Sequence, residues 1–130
     1  MVGRVGFLMF KQLILVGIGG GLGSVLRYLT SVLVDRFYDN TFPLATLTVN
    51  GLGCFIIGIL MGTSGAVSHD SRLLFVTGFC GGFTTFSAFA FENIRLFQNN
   101  SYLIAFTYIV GSVIIALACV WLGLVAARQI

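Results

Sequence analysis

Thr77-Gly78-Phe79-Cys80-Gly81-Gly82-Phe83-Thr84-Thr85-Phe86-Ser87-Ala88-Phe89 is the stretch on which the fold turns. It is apolar enough to lie in lipid, yet a pair of glycines and a pair of threonines interrupt it. Helix propensity is low at both pairs, and hydroxyls can satisfy the backbone groups that a break releases. Non-helical backbone at membrane depth is tolerated only where protein buries it or where it lines a cavity. The stretch therefore reads in one of two ways: a membrane helix broken near Gly81–Thr84, or a continuous helix whose glycines serve packing. At a break, freed carbonyls can meet a cation and a half-helix N-terminus can face an anion.

Outward from it, four segments are long and apolar enough to span a bilayer, which takes roughly 20 residues each. They run from about Gln12 to Val34, Pro43 to Thr63, Leu73 to Phe91 and Tyr102 to Ala127. The turns Asp35–Asn40, Ser64–Arg72 and Asn93–Ser101 hold nearly all the charge, and Pro43 is suited to open the second helix. Residues 1–130 thus form a single transmembrane domain of the all-α class. Composition agrees: 58% of the residues are hydrophobic and only 8% charged. So little charge leaves most of the surface to lipid. The net charge of +3 comes from scattered basic groups, so no nucleic-acid footprint is present. Cys54, Cys80 and Cys119 lie far apart and show no zinc or disulfide spacing. His69 is alone in a turn, without a nucleophile, and no enzyme is indicated. The first apolar run is too long for a signal peptide and has no cleavage site, so it reads as a retained helix.

Four spans place both termini on one side, with Arg4, Lys11, Arg72 and Arg128; the other side holds Arg36 and Arg95. This weak bias suits either one fixed orientation or a chain that inserts both ways and pairs antiparallel with itself. Gly17 and Gly21, Gly19 and Gly23, and Gly58 and Gly62 are each four apart, a spacing that lets helices approach closely in lipid.

Few side chains in the spans carry chemistry. Arg27 is the only ionisable group well inside one, and serves either as a snorkelling cation or as a fixed positive charge at the mouth of an anion path. Glu92 falls at the end of the third span, which leaves no deep carboxylate for a proton-coupled exporter, the alternative four-helix function. Asn50 must find an interhelical partner or line a polar cavity, where its NH₂ can donate to an anion. Tyr108 and Ser112 share a face and offer hydroxyl donors. Phe86 and Phe89 also share a face, and the positive edges of their rings can meet an anion without a full charge.

The run Gly78–Ser87 resembles the signature of the Fluc family, the small dimeric fluoride channels of microbes. Gly19–Ser24 leading to Arg27-Tyr28 resembles that family's first helix, and Thr46–Asn50 followed by Gly58 its second. The resemblance implies an antiparallel, dual-topology homodimer in the cell inner membrane, with two pores for passive fluoride export. It implies Phe86 and Phe89 as pore rings, Asn50 as pore amide, Arg27 near the entrance, and Tyr108 and Ser112 as a hydroxyl track. It also implies a structural sodium ion at the dimer centre, held by the backbone carbonyls of Gly81 and Thr84. Ala88 departs from the pattern, which commonly has threonine there.

Overall fold

The computed structural model describes residues 2–63, 65 and 67–129, with side chains from residue 6 onward. Ser64 and Ala66 of the expected second turn, and the side chain of Arg4, lie outside the described residues. All secondary structure among the described residues is helical. Helix α1 runs Val2–Phe37 and α2 runs Leu44–Gly62. Helix α3, residues 69–83, is composite: a turn at His69–Ser71, a π-helical stretch Arg72–Cys80 and a last turn Gly81–Phe83. Helix α4 is Phe86–Gln98 and α5 is Tyr102–Ala127. Four helical segments are long and apolar enough to cross a membrane, with α3 and α4 together making the third.

The fourth span matches its expected limits, and the second differs only at its edges. The first is longer than expected: its 36 residues make a rod of about 54 Å, against a hydrocarbon core of about 30 Å. The third passes Phe91 and ends at Gln98. Asn93, expected to begin a turn, is instead buried, and its Nδ2 donates to the Phe89 carbonyl at 2.8 Å. Leu96, one turn on, is also buried. Helix α4 stops at Asn99-Asn100. There Asn100 takes φ 56°, and the Ser101 and Asn100 N–H groups return to the carbonyls of Leu96 (2.9 Å) and Phe97 (3.1 Å). This pattern closes a helix, and asparagine tolerates the left-handed conformation better than other side chains.

Helix α1 packs chiefly on α3, and α2 on α5; α2 also touches α1 and α3, and α4 leans on α5. Glycine makes both main pairs possible. A Cβ on Gly19 would strike the Leu74 carbonyl, and one on Gly82 would strike the Gly20 carbonyl. Gly58 and Gly123 face each other in the same way across α2 and α5. Gly17 and Gly21, the remaining four-spaced pair, meet nothing within 4 Å. At one end, Lys11 forms an ion pair with Asp70, and Gln12 Nε2 lies 3.4 Å from the exposed His69 ring nitrogen Nε2. These contacts tie α1 to the start of α3.

Candidate functional site

The helix breaks at Thr84–Thr85, at the C-terminal edge of the expected Gly81–Thr84 stretch. Both residues are extended, with φ −80°, ψ 159° and φ −148°, ψ 117°. Gly81 and Gly82 remain helical, since Gly82 is held against Gly20 and loses nothing by lacking a Cβ there. Beyond the break, Thr85 caps α4, its Oγ1 accepting from the Ala88 N–H at 3.2 Å.

Asn50 is fixed on this break. Its Oδ1 accepts from the Thr85 N–H at 2.8 Å, and its Nδ2 donates to the Thr85 carbonyl at 3.0 Å. One amide side chain thus pairs both backbone groups of an extended residue, as a neighbouring strand would. Of the two N–H bonds on Nδ2, one is spent on Thr85 and one remains. Asn50 thus has an interhelical partner, and it also lines the first of two cavities.

Two cavities flank the break. The first, about 530 Å³, is lined by Asn50, Phe86, Phe89 and Ser112 together with Gly81 and Thr84. It brings six of the sequence-identified residues to one place. Phe86 is 80% exposed, and its ring centroid lies 5.7 Å from that of Phe89. The Ser112 hydroxyl is buried without a hydrogen-bond partner. A buried hydroxyl in that state carries a desolvation cost that an incoming acceptor would relieve. The second cavity, about 450 Å³, holds Arg27 with Ser24, Thr46, Asp35 and Glu92. Thr85 lines both cavities.

Tyr108 does not line a common track with Ser112. It is fully buried, its ring 5.1 Å from Phe89, and its hydroxyl donates to Glu92 Oε2 at 2.7 Å. Thr46 Oγ1 donates to the other carboxylate oxygen at 2.6 Å. Glu92 is thus a half-buried acceptor for two hydroxyls, well before the end of α4. Sequence placed it at a span terminus because the helix was ended too early, and so understated it. Thr46 lay unremarked in the Thr46–Asn50 run. A threonine at that position with a glutamate on a neighbouring span was the signal available, but no spacing rule links residues 46 apart.

The described residues contain no cluster of three or more His, Cys, Asp or Glu that could hold a metal. Among the described residues the carbonyls of Gly81 and Thr84 accept no hydrogen bond.

Residues 14–124 match the family model described as CrcB-like protein, Camphor Resistance (CrcB). The chain is 46% identical over 123 residues to the fluoride-specific ion channel FluC of Flavobacterium psychrophilum, covering 92% of this chain and 99% of that relative. The protein of the same name from Azobacteroides pseudotrichonymphae is 48% identical over 118 residues, covering 88% and 94%. That from Methylobacillus flagellatus is 47% identical over 116 residues, covering 86% and 91%.

Proposed function

The chain belongs to the CrcB-like family, and from that membership and the cavity at the helix break we propose that it is a fluoride channel. It is a multi-pass protein of the cell membrane. The family is one of channels, not an enzyme class. Flow is passive and removes fluoride from the cytoplasm, protecting the cell from its toxicity.

The observation that carries the reading is the cavity at the helix break, lined together by Asn50, Phe86, Phe89 and Ser112, whose hydroxyl is without a hydrogen-bond partner. Fluoride is small and strongly hydrated, so its dehydration is the barrier. A conducting site must replace water yet release the ion. The Ser112 O–H, the spare Asn50 N–H and the positive ring edges do this without a full charge that would trap it. Arg27 supplies the attracting charge in the second cavity. Tyr108 and Thr46 hold their protons on Glu92, which ties α2 and α5 to α4.

Fluoride-loaded proteoliposomes containing the purified protein are expected to release fluoride without an imposed proton gradient, while chloride-loaded vesicles stay closed. Glu92 gives the exporter reading its one foothold, as a half-buried carboxylate within a span. Efflux that appears only with a proton gradient would favour that reading and overturn the channel.

The assembly is an antiparallel homodimer. The first cavity is open on the chain's own surface and Phe86 is largely exposed there, so a second copy is needed to enclose it. A single cysteine placed in the Asn99-Asn100 turn of a cysteine-free chain is expected to label from both membrane faces. Labelling from one face only would rule out dual topology.

The carbonyls of Gly81 and Thr84 fit a sodium ion, since each is a hard oxygen donor without an N–H partner. When bound, the ion would supply positive charge near the anion cavity and relieve the repulsion between bare carbonyls.

A further inference from the structure

We propose that Asn50 and Thr85 are positioning residues that keep the cation cradle open by taking the N–H groups which would otherwise cap its carbonyls. The inference rests on the reading of Gly81 and Thr84 as sodium ligands, and supplies the device that frees them.

In a continuous helix each carbonyl accepts the N–H four residues on. The last such bond before the break is from the Thr84 N–H to the Cys80 carbonyl, at 3.0 Å. The next would run from the Thr85 N–H to the Gly81 carbonyl. That N–H instead goes to Asn50 Oδ1 at 2.8 Å. Three residues later, the Ala88 N–H would pair with the Thr84 carbonyl. It goes instead to Thr85 Oγ1 at 3.2 Å. The two carbonyls assigned to the cation are therefore the two whose N–H partners have been taken by side chains.

The substitution works because a buried N–H must be paired with something. Without Asn50 Oδ1, the Thr85 N–H is satisfied most readily by rewinding onto the Gly81 carbonyl. Without Thr85 Oγ1, the Ala88 N–H returns to the Thr84 carbonyl. Either change closes one ligand pair with helix. The second Asn50 bond, to the Thr85 carbonyl, locks the extended conformation from its other side. Nothing beside Gly81 opposes a ligand: a Cβ there meets nothing within 4 Å, and the residue is exposed in the single chain. Neither Asn50 nor Thr85 is assigned contact with the ion. Their effect on it is through the carbonyls.

The test is the thermal melting midpoint of the purified dimer as sodium is titrated against choline at constant ionic strength. Selective binding to the folded state raises the midpoint with sodium concentration. The wild type is expected to show this rise. Asn50→Leu and Thr85→Val should need at least tenfold more sodium for the same rise. Thr85→Ser, which retains the accepting oxygen, should titrate with the wild type. Thr85→Val is close to isosteric and carries the test alone if Asn50→Leu does not fold. A wild type indifferent to sodium would overturn the cation reading and this inference together. A wild-type response that Thr85→Val leaves unshifted would overturn the inference while leaving the cation site standing.

Discussion

Fluoride efflux through Phe86→Ile or Phe89→Ile is expected to fall at least about tenfold, equivalent to about 1.4 kcal/mol on the barrier, while the protein remains folded. The rings line the cavity beside Asn50 and Ser112, and isoleucine there keeps an apolar wall. What it removes is the polarised edge, the only positive surface those positions offer. The two variants differ in their structural risk. Phe86 is largely exposed in the single chain, so its replacement costs little within the fold. Phe89 packs against Tyr108, with ring centroids 5.1 Å apart, so its loss also loosens the support of the Tyr108–Glu92 bond. Loss of flux in Phe86→Ile with an unchanged melting midpoint is therefore the cleaner reading. Efflux at wild-type rate in both variants would remove the rings from conduction.

How far the site was legible in sequence depends on the range of the interactions that make it. Span four could be read to its ends because its limits are local: an Asn-Ser turn before Tyr102 and a loss of apolar residues after Ala127. The existence of a break in the third span was also local, since paired glycines and threonines weaken any helix. Its position was not. Gly82 stays helical because Gly20 of α1 lies against it, and Thr85 becomes extended because Asn50 of α2 takes its backbone. Both causes come from other helices. The residues that gather around the first cavity were nonetheless identified, because polar and aromatic groups in lipid need a reason wherever they occur. Spacing puts Tyr108 on one face with Ser112, but spacing could not show that Glu92 would claim its hydroxyl. Glycine spacing had the same weakness. It marked Gly17 and Gly21 as strongly as Gly58 and Gly62, although only the latter meet another helix within the chain.

That difference between glycines predicts the largest effect on stability. Gly58→Leu is expected to prevent the α2–α5 pair from closing. A Cβ at Gly58 would collide with the Val120 carbonyl and lie 3.0 Å from Gly123 Cα. A Cβ at Gly123 would in turn lie 2.9 Å from both Gly58 Cα and the Ile59 nitrogen. The obstructing atoms are backbone, so no rotamer change relieves the overlap and the helices must move apart. Overpacking of this kind costs about 3 kcal/mol at its upper end. The damage also reaches the site, because α2 carries Asn50 and α5 carries Ser112 to the same cavity. Gly17→Ala is the control. It adds a Cβ that meets nothing within 4 Å among the described residues, and the gain in helix propensity is about 1 kcal/mol or less. Thermal melting and size-exclusion profiles of the two variants separate the cases. Gly58→Leu should melt well below the wild type or fail to give a dispersed peak, and Gly17→Ala should run with the wild type. A Gly58→Leu protein that melts with the wild type would mean that the α2–α5 contact is not the close backbone approach described. Conversely, marked destabilisation by Gly17→Ala would place the partner copy against the Gly17–Gly21 face of α1, since among the described residues nothing comes within 4 Å of a Cβ there.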